Sequence, residues 1–459
     1  MTFHLRPYQS DLIEQARAEI RTGDHSVLMV APTGAGKTAL AAFMLGNASA
    51  RGKRCWFMVH RRELVTQSSR TFDKVGIEHG IVAAGFRQDR RSQVQIASVQ
   101  TLARRLDDVL PPDMIVWDEC HHIASESWAS IFSKFPDAIH IGLTATPCRL
   151  DGRGLGDWFN TLVEGPTTRW LIDNGFLSKY RLFAPSTPDV ASIKTRAGDF
   201  VASELADHMD KPSITGDAIT HYKKLADGKR AIVFAANIAH SQHVVAQFQA
   251  AGYPAAHIDG KTDRAVRDKL LRDFEDGRIR VVSNVDLFGE GFDLPAIEAV
   301  ILLRPTQSTG LYLQQVGRSL RTSEGKTEAI ILDHAGNALR HGLPDQIREW
   351  NLDAKPKTKR QRDTDIPAIK QCPKCYSVHD PMPVCPNCGH QYTPTAREIE
   401  QREGELVELR EEMIRRDKRK EVGRAKSLDD LIAIGNSRGY KHPRIWAQKV
   451  IGARSKKYG

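Results

Sequence analysis

Five consecutive positions, Asp118, Glu119, Cys120, His121 and His122, carry two carboxylates, a thiol and two imidazoles. Every one of these groups can bind a metal, so the run "MIVWDECHHI" poses a choice between a zinc site and other chemistry. Its apolar lead-in ends in two acids. As a strand of a parallel sheet, it would place both at the carboxyl edge, where ligands bind. Upstream, "SVLMVAPTGAGKTAL" passes from an apolar strand through a Gly-rich turn to a Lys-Thr pair that opens a helix. That is a phosphate-binding loop in its expected setting. Gly34 and Gly36 let backbone N–H groups close around phosphate oxygens, and the helix N-terminus adds its positive end. Lys37 is placed to reach the β- and γ-phosphates and Thr38 to hold Mg²⁺. Ala31 stands where such a motif begins with Gly, and Thr33 and Ala35 complete the loop. A chance Gly-rich turn is the bland alternative. A phosphate loop needs a carboxylate on a neighbouring strand end, so Asp118 is expected in the Mg²⁺ shell and Glu119 at the attacking water. Cys120 has no partner Cys nearby and reads as a small packed residue.

A second cluster has clearer metal spacing. Of seven cysteines, Cys55, Cys120 and Cys148 stand apart, while Cys372, Cys375, Cys385 and Cys388 fall within "CPKCYSVHDPMPVCPNCGH". Two Cys-x-x-Cys pairs, nine residues apart and each with Pro after its first Cys, match a tetrahedral structural Zn²⁺ site. An iron–sulfur cluster or free thiols are the alternatives. Four thiolates close a zinc site, so His379 and His390 are read as bystanders and no catalysis is expected there.

These residues need elements to hold them. The runs at 26–30, 54–60, 94–98, 113–119 and 140–145 read as buried strands, with amphipathic stretches such as "TALAAFMLGNASA" between them. This is the βαβ rhythm of a parallel sheet covered on both faces. The rhythm pauses at 184–212 and resumes with apolar runs at 230–236, 255–260, 279–285, 299–305 and 328–334. The expected order is a first α/β domain over 1–183, an irregular connector over 184–212 and a second α/β domain over 213–345. A charged linker (346–370), a Cys₄ zinc module (371–393), a charged helix (394–425) and a small basic helical tail (426–459) follow.

"APTGAGKT", "DECHH", "TATP" and "QQVGRSLR" occur in the order and spacing of superfamily 2 helicase-like ATPases, the DEAD/DEAH-box group, over about residues 1–345. "TPCRLDGRGLGDWF", "GEGFDLP" and the following Cys pairs look most like the RadD-type branch of bacteria and phages. The resemblance implies two RecA-like parallel-sheet domains in tandem, an α/β fold, with a zinc-ribbon-like module and a basic tail beyond them. It implies ATP and Mg²⁺ as ligands, beside the Zn²⁺ that the cysteines suggest. "LRPYQ" resembles the adenine-reading element, with Gln9 and Arg6 at the base. "VHRRELVTQ" and "SVQTLARR" resemble elements that grip a nucleic-acid backbone through Arg62 and Thr101. Thr144 and Thr146 resemble the element that couples nucleotide state to the bound strand, and "VVSNVDLFGEGFDLP" places Gly291 and Asp293 at the nucleotide. Asn284 stands where many relatives have Thr. Arg318 and Arg321 resemble arginine fingers reaching the γ-phosphate across the cleft. His121 and His122 are expected to link the nucleotide site to the moving second lobe, His122 ahead of His121.

The chain has 459 residues, a net charge of +10, 41% hydrophobic and 27% charged residues. Residues 351–459 hold 24 Lys and Arg against 15 Asp and Glu, so most of the excess lies there. It suits a polyanion or simply a solvated tail. "RGYKHPRIWAQK" adds Tyr440 and Trp446, compatible with stacking on unpaired bases. No apolar run approaches the ~20 residues of a membrane span, and no signal pattern opens the chain, so a cytoplasmic location is expected. The expectation is an ATP-dependent DNA motor, a helicase, translocase or branch remodeller in repair, recombination or phage replication. It would bind single-stranded, branched or duplex DNA, with a protein partner possible at the zinc module and tail. An RNA helicase and the motor subunit of a restriction system are the alternatives.

Overall fold

The structure, a computed structural model, describes residues 4–87, 89, 91–149, 153–185, 193–196, 199–201, 204–205, 209, 212–285, 297–353, 369–392, 425, 427–437, 443–444, 447–448 and 450. The chain divides into two units, Met1–Tyr392 and Thr393–Gly459.

The first lobe of the larger unit runs α1 (Pro7–Arg21), β1 (Ser26–Val30), α2 (Lys37–Ser49), β2 (Cys55–Val59), α3 (Arg62–Lys74), β3 (Gly80–Val82) and β4 (Val94–Ser98). It continues through α4 (Val99–Leu102), β5 (Met114–Asp118), α5 (Glu126–Lys134), β6 (Ile139–Thr144) and β7 (Thr161–Glu164). Its seven strands lie in the order β3-β4-β2-β5-β6-β1-β7, every neighbouring pair parallel. Alternate residues go to opposite faces. Val27, Met29, Phe57 and Val59 join one core cluster, and Leu28, Val30, Trp56 and Met58 join another. Burial of both faces is why these strands read as continuous apolar runs. A short helix, α6 (Thr168–Asp173), then leads to the second lobe.

The second lobe contains β8 (Lys179–Phe183), β9 (Thr195–Arg196), β10 (Asp199–Phe200), α7 (Pro212–Leu225), β11 (Ala231–Phe234), α8 (Ile238–Ala250) and β12 (Ala255–Ile258). After these come α9 (Arg264–Glu275), β13 (Val281–Asn284), β14 (Ala299–Leu302), α10 (Thr309–Gly317), β15 (Glu328–Asp333) and α11 (Asn337–His341). Two further strands, β16 (Lys370–Gln371) and β17 (Ser377–His379), come from the cysteine module. The sheet order is β12-β13-β11-β14-β15-β8-β17-β16.

Two expected boundaries shift. Residues 179–183 belong to the second lobe, because β8 pairs in parallel with β15 and Phe183 enters that lobe's core. The passage between lobes is therefore the segment 165–178. Of the described residues in 184–212, Asp199 is held by the second lobe, accepting from Gln307 N (2.7 Å) and Thr306 Oγ1 (3.0 Å). The linker expected at 346–370 is in part docked. Trp350 and Leu352 pack on first-lobe core, and Gly156 N donates to Leu352 O at 2.9 Å.

Much of the smaller unit, including the charged helix expected over 394–425 apart from residue 425, lies outside the described residues, as do Tyr440 and Trp446. In it, α12 (Leu428–Ser437) buries Leu431 beside Ala425 and Ala447. Ser427 and Asp430 cap its start reciprocally, at 2.9 and 3.1 Å. Among the described residues, no helix is long and apolar enough to cross a membrane.

Candidate functional site

β1 ends at Val30, and the chain turns through Pro32–Gly36 into α2. Gly34 and Gly36 have φ of 90° and 85°, the left-handed region that only Gly visits freely. A Cβ on Gly36 would also stand 2.5 Å from Gln9 Nε2, so a side chain there would displace the Gln9 amide. Tyr8 Oη and Gln9 Nε2 both donate to Ala35 O at 2.9 Å. Gln9 Oε1 accepts from Arg6 N at 2.9 Å, and the Arg6 guanidinium lies 5.0 Å from the Phe176 ring centre. Arg6, Gln9, Thr33, Gly34, Ala35, Gly36, Lys37 and Thr38 thus come together at one loop. Tyr8 and Phe176 are additions that the sequence reading lacked.

The acids arrive from β5. Lys37 Nζ stands 3.7 Å from Glu119 Oε1 and 3.4 Å from Ala31 O. Asp118 and Glu119 are buried. Burial first, and the Glu119 charge second, push the Asp118 carboxyl up to about 6 against the pull of Lys37 and His60. Glu119 has φ 49° and ψ 51°, a strained conformation for a non-glycine residue that recurs at functional sites.

His121 lies between Glu119 and the end of β6. Its Nδ1 is 3.5 Å from Glu119 Oε2 and 3.4 Å from Thr144 Oγ1. The His122 ring lies 4.8 Å from that of His60 and 6.1 Å from that of Trp128, both tilted. The reason for the difference is local. Cys120–His122 form one 3-10 turn, which sends the first imidazole toward β6 and the second away. Thr144 Oγ1 donates to Thr146 O at 2.9 Å.

The second lobe closes over this edge with α10. A Cβ on Gly310 would stand 2.9 Å from Thr146 Oγ1, and one on Gly317 would stand 2.6 Å from Thr33 Cβ. The two ends of α10 therefore rest on the Thr146 loop and the phosphate loop. Beyond α10, Arg318 is buried, and a Cβ on Gly34 would meet Arg321 Cγ at 3.6 Å and Leu177 Cδ2 at 2.8 Å. Asn284 is buried in the sheet and donates to Val233 O at 2.8 Å. Gly291 and Asp293 lie outside the described residues.

Arg62 and Thr101 bracket one turn on the same sheet edge. Thr101 Oγ1 accepts from Ala84 N at 3.3 Å, and the Arg62 guanidinium lies 5.2 Å from the Phe86 ring centre. Next to Arg62, Glu63 Oε1 accepts from Arg267 Nη1 of the second lobe at 2.7 Å. Arg267 Nη2 also donates to Asp259 O and Thr262 O, both at 3.2 Å.

The four clustered cysteines offer sulfurs all within 4.8 Å of one another. Cys372 and Cys388 sulfurs are 3.6 Å apart, and those of Cys375 and Cys385 are 3.7 Å apart. A disulfide needs about 2.05 Å, whereas sulfurs at ~2.3 Å around a tetrahedral metal have edges of about 3.8 Å. The cluster therefore fits a four-thiolate metal site. Both knuckles end in a left-handed residue, Tyr376 (φ 60°) and Gly389 (φ 69°). His379 is engaged elsewhere, with Asp380 O (2.7 Å) and Tyr392 Oη (2.8 Å).

The family described as "Type III restriction enzyme, res subunit" matches residues 2–149, and "Helicase conserved C-terminal domain" matches residues 211–323. A 51.5 kDa protein of Lactococcus phage (isolate 7-9) is 35% identical over 85% of this chain and 83% of its own length. The putative ATP-dependent helicase IRC3 of Saccharomyces cerevisiae is 30% identical over 72% of this chain, which spans only 51% of the yeast protein. The DNA 3'-5' translocase XPB2 of Sulfurisphaera tokodaii is 24% identical over 72% of this chain and 81% of its own length. A fragment of a putative HsdR subunit of a type I restriction enzyme from Vibrio vulnificus has the same fold, with TM-score 0.58 and 23% identity over 75% of this chain and 68% of that one. The chain belongs to the superfamily 2 helicase-like ATPases. It is an ATP-hydrolysing nucleic-acid motor of two tandem parallel-sheet lobes.

Proposed function

We propose that this motor is driven by DNA, as a helicase, translocase or branch remodeller. One observation supports the reading above others. The carboxyl edge of the first sheet carries the nucleotide loop after β1, the acids after β5 and the exposed Arg62 after β2. A backbone phosphate at Arg62 and Thr101 would sit on the same rigid sheet as the nucleotide. Contacts of that kind give little sequence preference and a strong salt dependence. The XPB2 relative is named for DNA, which favours DNA over RNA.

Roles follow from placement. The 33–38 loop cradles the phosphates of ATP, with Lys37 at their outer oxygens. Gln9 and Arg6 would meet the base, and the family resemblance assigns Gly291 and Asp293 to the nucleotide. Thr38 and Asp118 would hold Mg²⁺, which neutralises phosphate charge when bound. Glu119 orients and deprotonates water. Arg318 and Arg321 meet the developing charge when α10 is seated. His121, Thr144 and Thr146 relay the state of this edge to α10, a role that His122 shares in the family pattern. Cys372, Cys375, Cys385 and Cys388 hold structural Zn²⁺. A cytoplasmic location and a partner at the C-terminal module complete the reading.

The test is ATP turnover with no polymer, single-stranded, duplex and forked DNA, and RNA, with Glu119→Gln as control. DNA should stimulate turnover more than RNA, and Glu119→Gln should lose at least ~100-fold. Equal stimulation by RNA would overturn the DNA assignment. The res-subunit match favours a second reading, the motor of a restriction assembly. That reading predicts stable co-purification with nuclease and methylase subunits when co-expressed.

A further inference from the structure

The turn that carries the two arginines is held by groups to which the family comparison gives no role. Ser319, Leu320 and Arg321 follow the carboxyl end of α10, where backbone carbonyls lack helical partners. Each of the three carbonyls has found a donor. Lys326 Nζ donates to Ser319 O and, at 2.7 Å, to Arg321 O. Leu320 O accepts from Ser178 N at 2.7 Å, and Ser178 Oγ donates to Arg321 O at 3.2 Å. Leu177 bridges to Arg321, and the same Leu177 fills the space against Gly34 of the phosphate loop. The segment between the arginines is thus clamped from two sides. One side is the connector from the first lobe, and the other is a lysine set by the turn before β15, where Gly325 has φ 75°.

We propose that Lys326 is a positioning residue for ATP hydrolysis, holding the 319–321 carbonyls so that Arg318 and Arg321 face the phosphate loop. The role rests on the reading of those arginines as γ-phosphate contacts. Three carbonyl-directed anchors fix the backbone on both sides of Leu320, and an ammonium at a helix carboxyl end also suits the local dipole. Neither Lys326 nor Ser178 needs to touch nucleotide. Their effect belongs to the chemical step and to lobe closure, not to binding in the open state.

The clamp should titrate. Burial above all pulls the Lys326 ammonium down to about 8, with Lys229 and Arg230 pushing the same way and Glu298 opposing them. Glu298 is itself shared, 3.9 Å from Lys229 Nζ and 3.8 Å from Arg230 Nε. The charged form binds the two carbonyls more strongly, because a neutral amine keeps two N–H donors but loses the charge. The clamp is therefore tightest below pH 8 and weakens as pH rises through it.

The experiment uses the full chain and steady-state ATP turnover with saturating DNA from pH 6.5 to 9.5. Lys326→Met is expected to lower kcat at least tenfold, with KM for ATP changed less than threefold and the thermal midpoint within a few degrees of the parent. Lys326→Arg keeps a charge at every pH tested, so it should retain most of kcat and lose the alkaline fall near pH 8. Ser178→Ala removes one anchor and should give an intermediate loss in a protein whose lysine is intact, which keeps the test open if Lys326→Met does not fold. Arg321→Ala and Lys326→Met combined should be no worse than Arg321→Ala alone. Parental kcat in Lys326→Met, or an alkaline fall that persists in Lys326→Arg, overturns the role. Full turnover in Arg318→Ala and Arg321→Ala instead removes the arginine reading on which it rests, and the two failures are separately visible.

Discussion

Gly317 is the residue on which contact between lobes turns most directly. An added Cβ would overlap Thr33 by standing 2.6 Å from its Cβ, and Thr33 belongs to a loop with little freedom to yield. Gly317→Ala should keep both lobes folded but hold α10 off the phosphate loop. We expect turnover to fall at least tenfold, while the nucleotide-free thermal midpoint shifts by no more than about 2 °C, and unchanged turnover would mean that α10 does not close on Thr33. His121→Ala is expected to weaken DNA stimulation more than basal turnover, measured as the ratio of the two. What the sequence disclosed at this scale was the chemistry carried by contiguous residues. The phosphate loop, the Asp118-Glu119 pair and the four cysteines are each local in the chain. Tyr8, Gly317, Lys326 and the placement of His121 beside Thr144 were not legible. Their meaning depends on partners such as Ala35, Thr33, Arg321 and Thr144, which no local spacing brings near.

Strands buried on both faces were legible because their apolar runs are continuous; β1, β2, β4, β5 and β11 all fall within the runs that predict them, and β6 begins one residue before its run. The allegiance of β8 was not, because Lys179 and Arg181 interrupt its apolar character and a sequence does not say which sheet a strand joins. The cysteine module had a similar surprise. It reads as a separate ribbon, yet β17 pairs antiparallel with β8, and Ala184 N donates to Tyr376 O at 3.0 Å. Arg181 joins Asn387 of the second knuckle (3.2 Å) to Glu328 of β15 (3.0 Å). Metal loss should then be felt in the second lobe. Cys385→Ser is expected to lower the metal content well below one per chain and to reduce the thermal midpoint of that lobe by several degrees. Elemental analysis and calorimetry read the two outcomes, and full metal retention would refute a four-thiolate site.

Across the whole molecule, burial of histidine sets a response to acid. His140 accepts from Trp117 Nε1 at Nδ1 (3.1 Å), while its Nε2 reaches Phe135 O (2.9 Å). Burial chiefly holds it down to about 4, and likewise His341 at about 4 and His334 at about 3. The unfolded chain binds these protons from about pH 6.5 and the fold does not, so their contribution is intact above that pH and is lost as pH falls toward 4. Burial pushes the Asp118 and Asp333 carboxyls up, which gives an opposite slope, so the effect is read as a difference between variants. His140→Phe should lose about 1–3 kcal/mol at neutral pH with its hydrogen bonds, and flatten the acid slope by about 1.4 kcal/mol per pH unit. Urea unfolding at several pH values would measure both, and an unchanged slope would contradict the assignment. The lobes are also tied twice by described chain, through 165–178 and through the docked Trp350–Leu352 strap. Trp350→Ala should broaden the interlobe distances seen by paired fluorescent labels. A last consequence follows from β17 lying along β8. A core cut after residue 345 would bare the hydrogen-bonding edge of β8, and an uncovered edge invites pairing with other chains. The cysteine module covers that edge through β17, so a shortened motor is expected to fail first by losing solubility rather than by losing its ATP site, as sedimentation beside nucleotide binding would read.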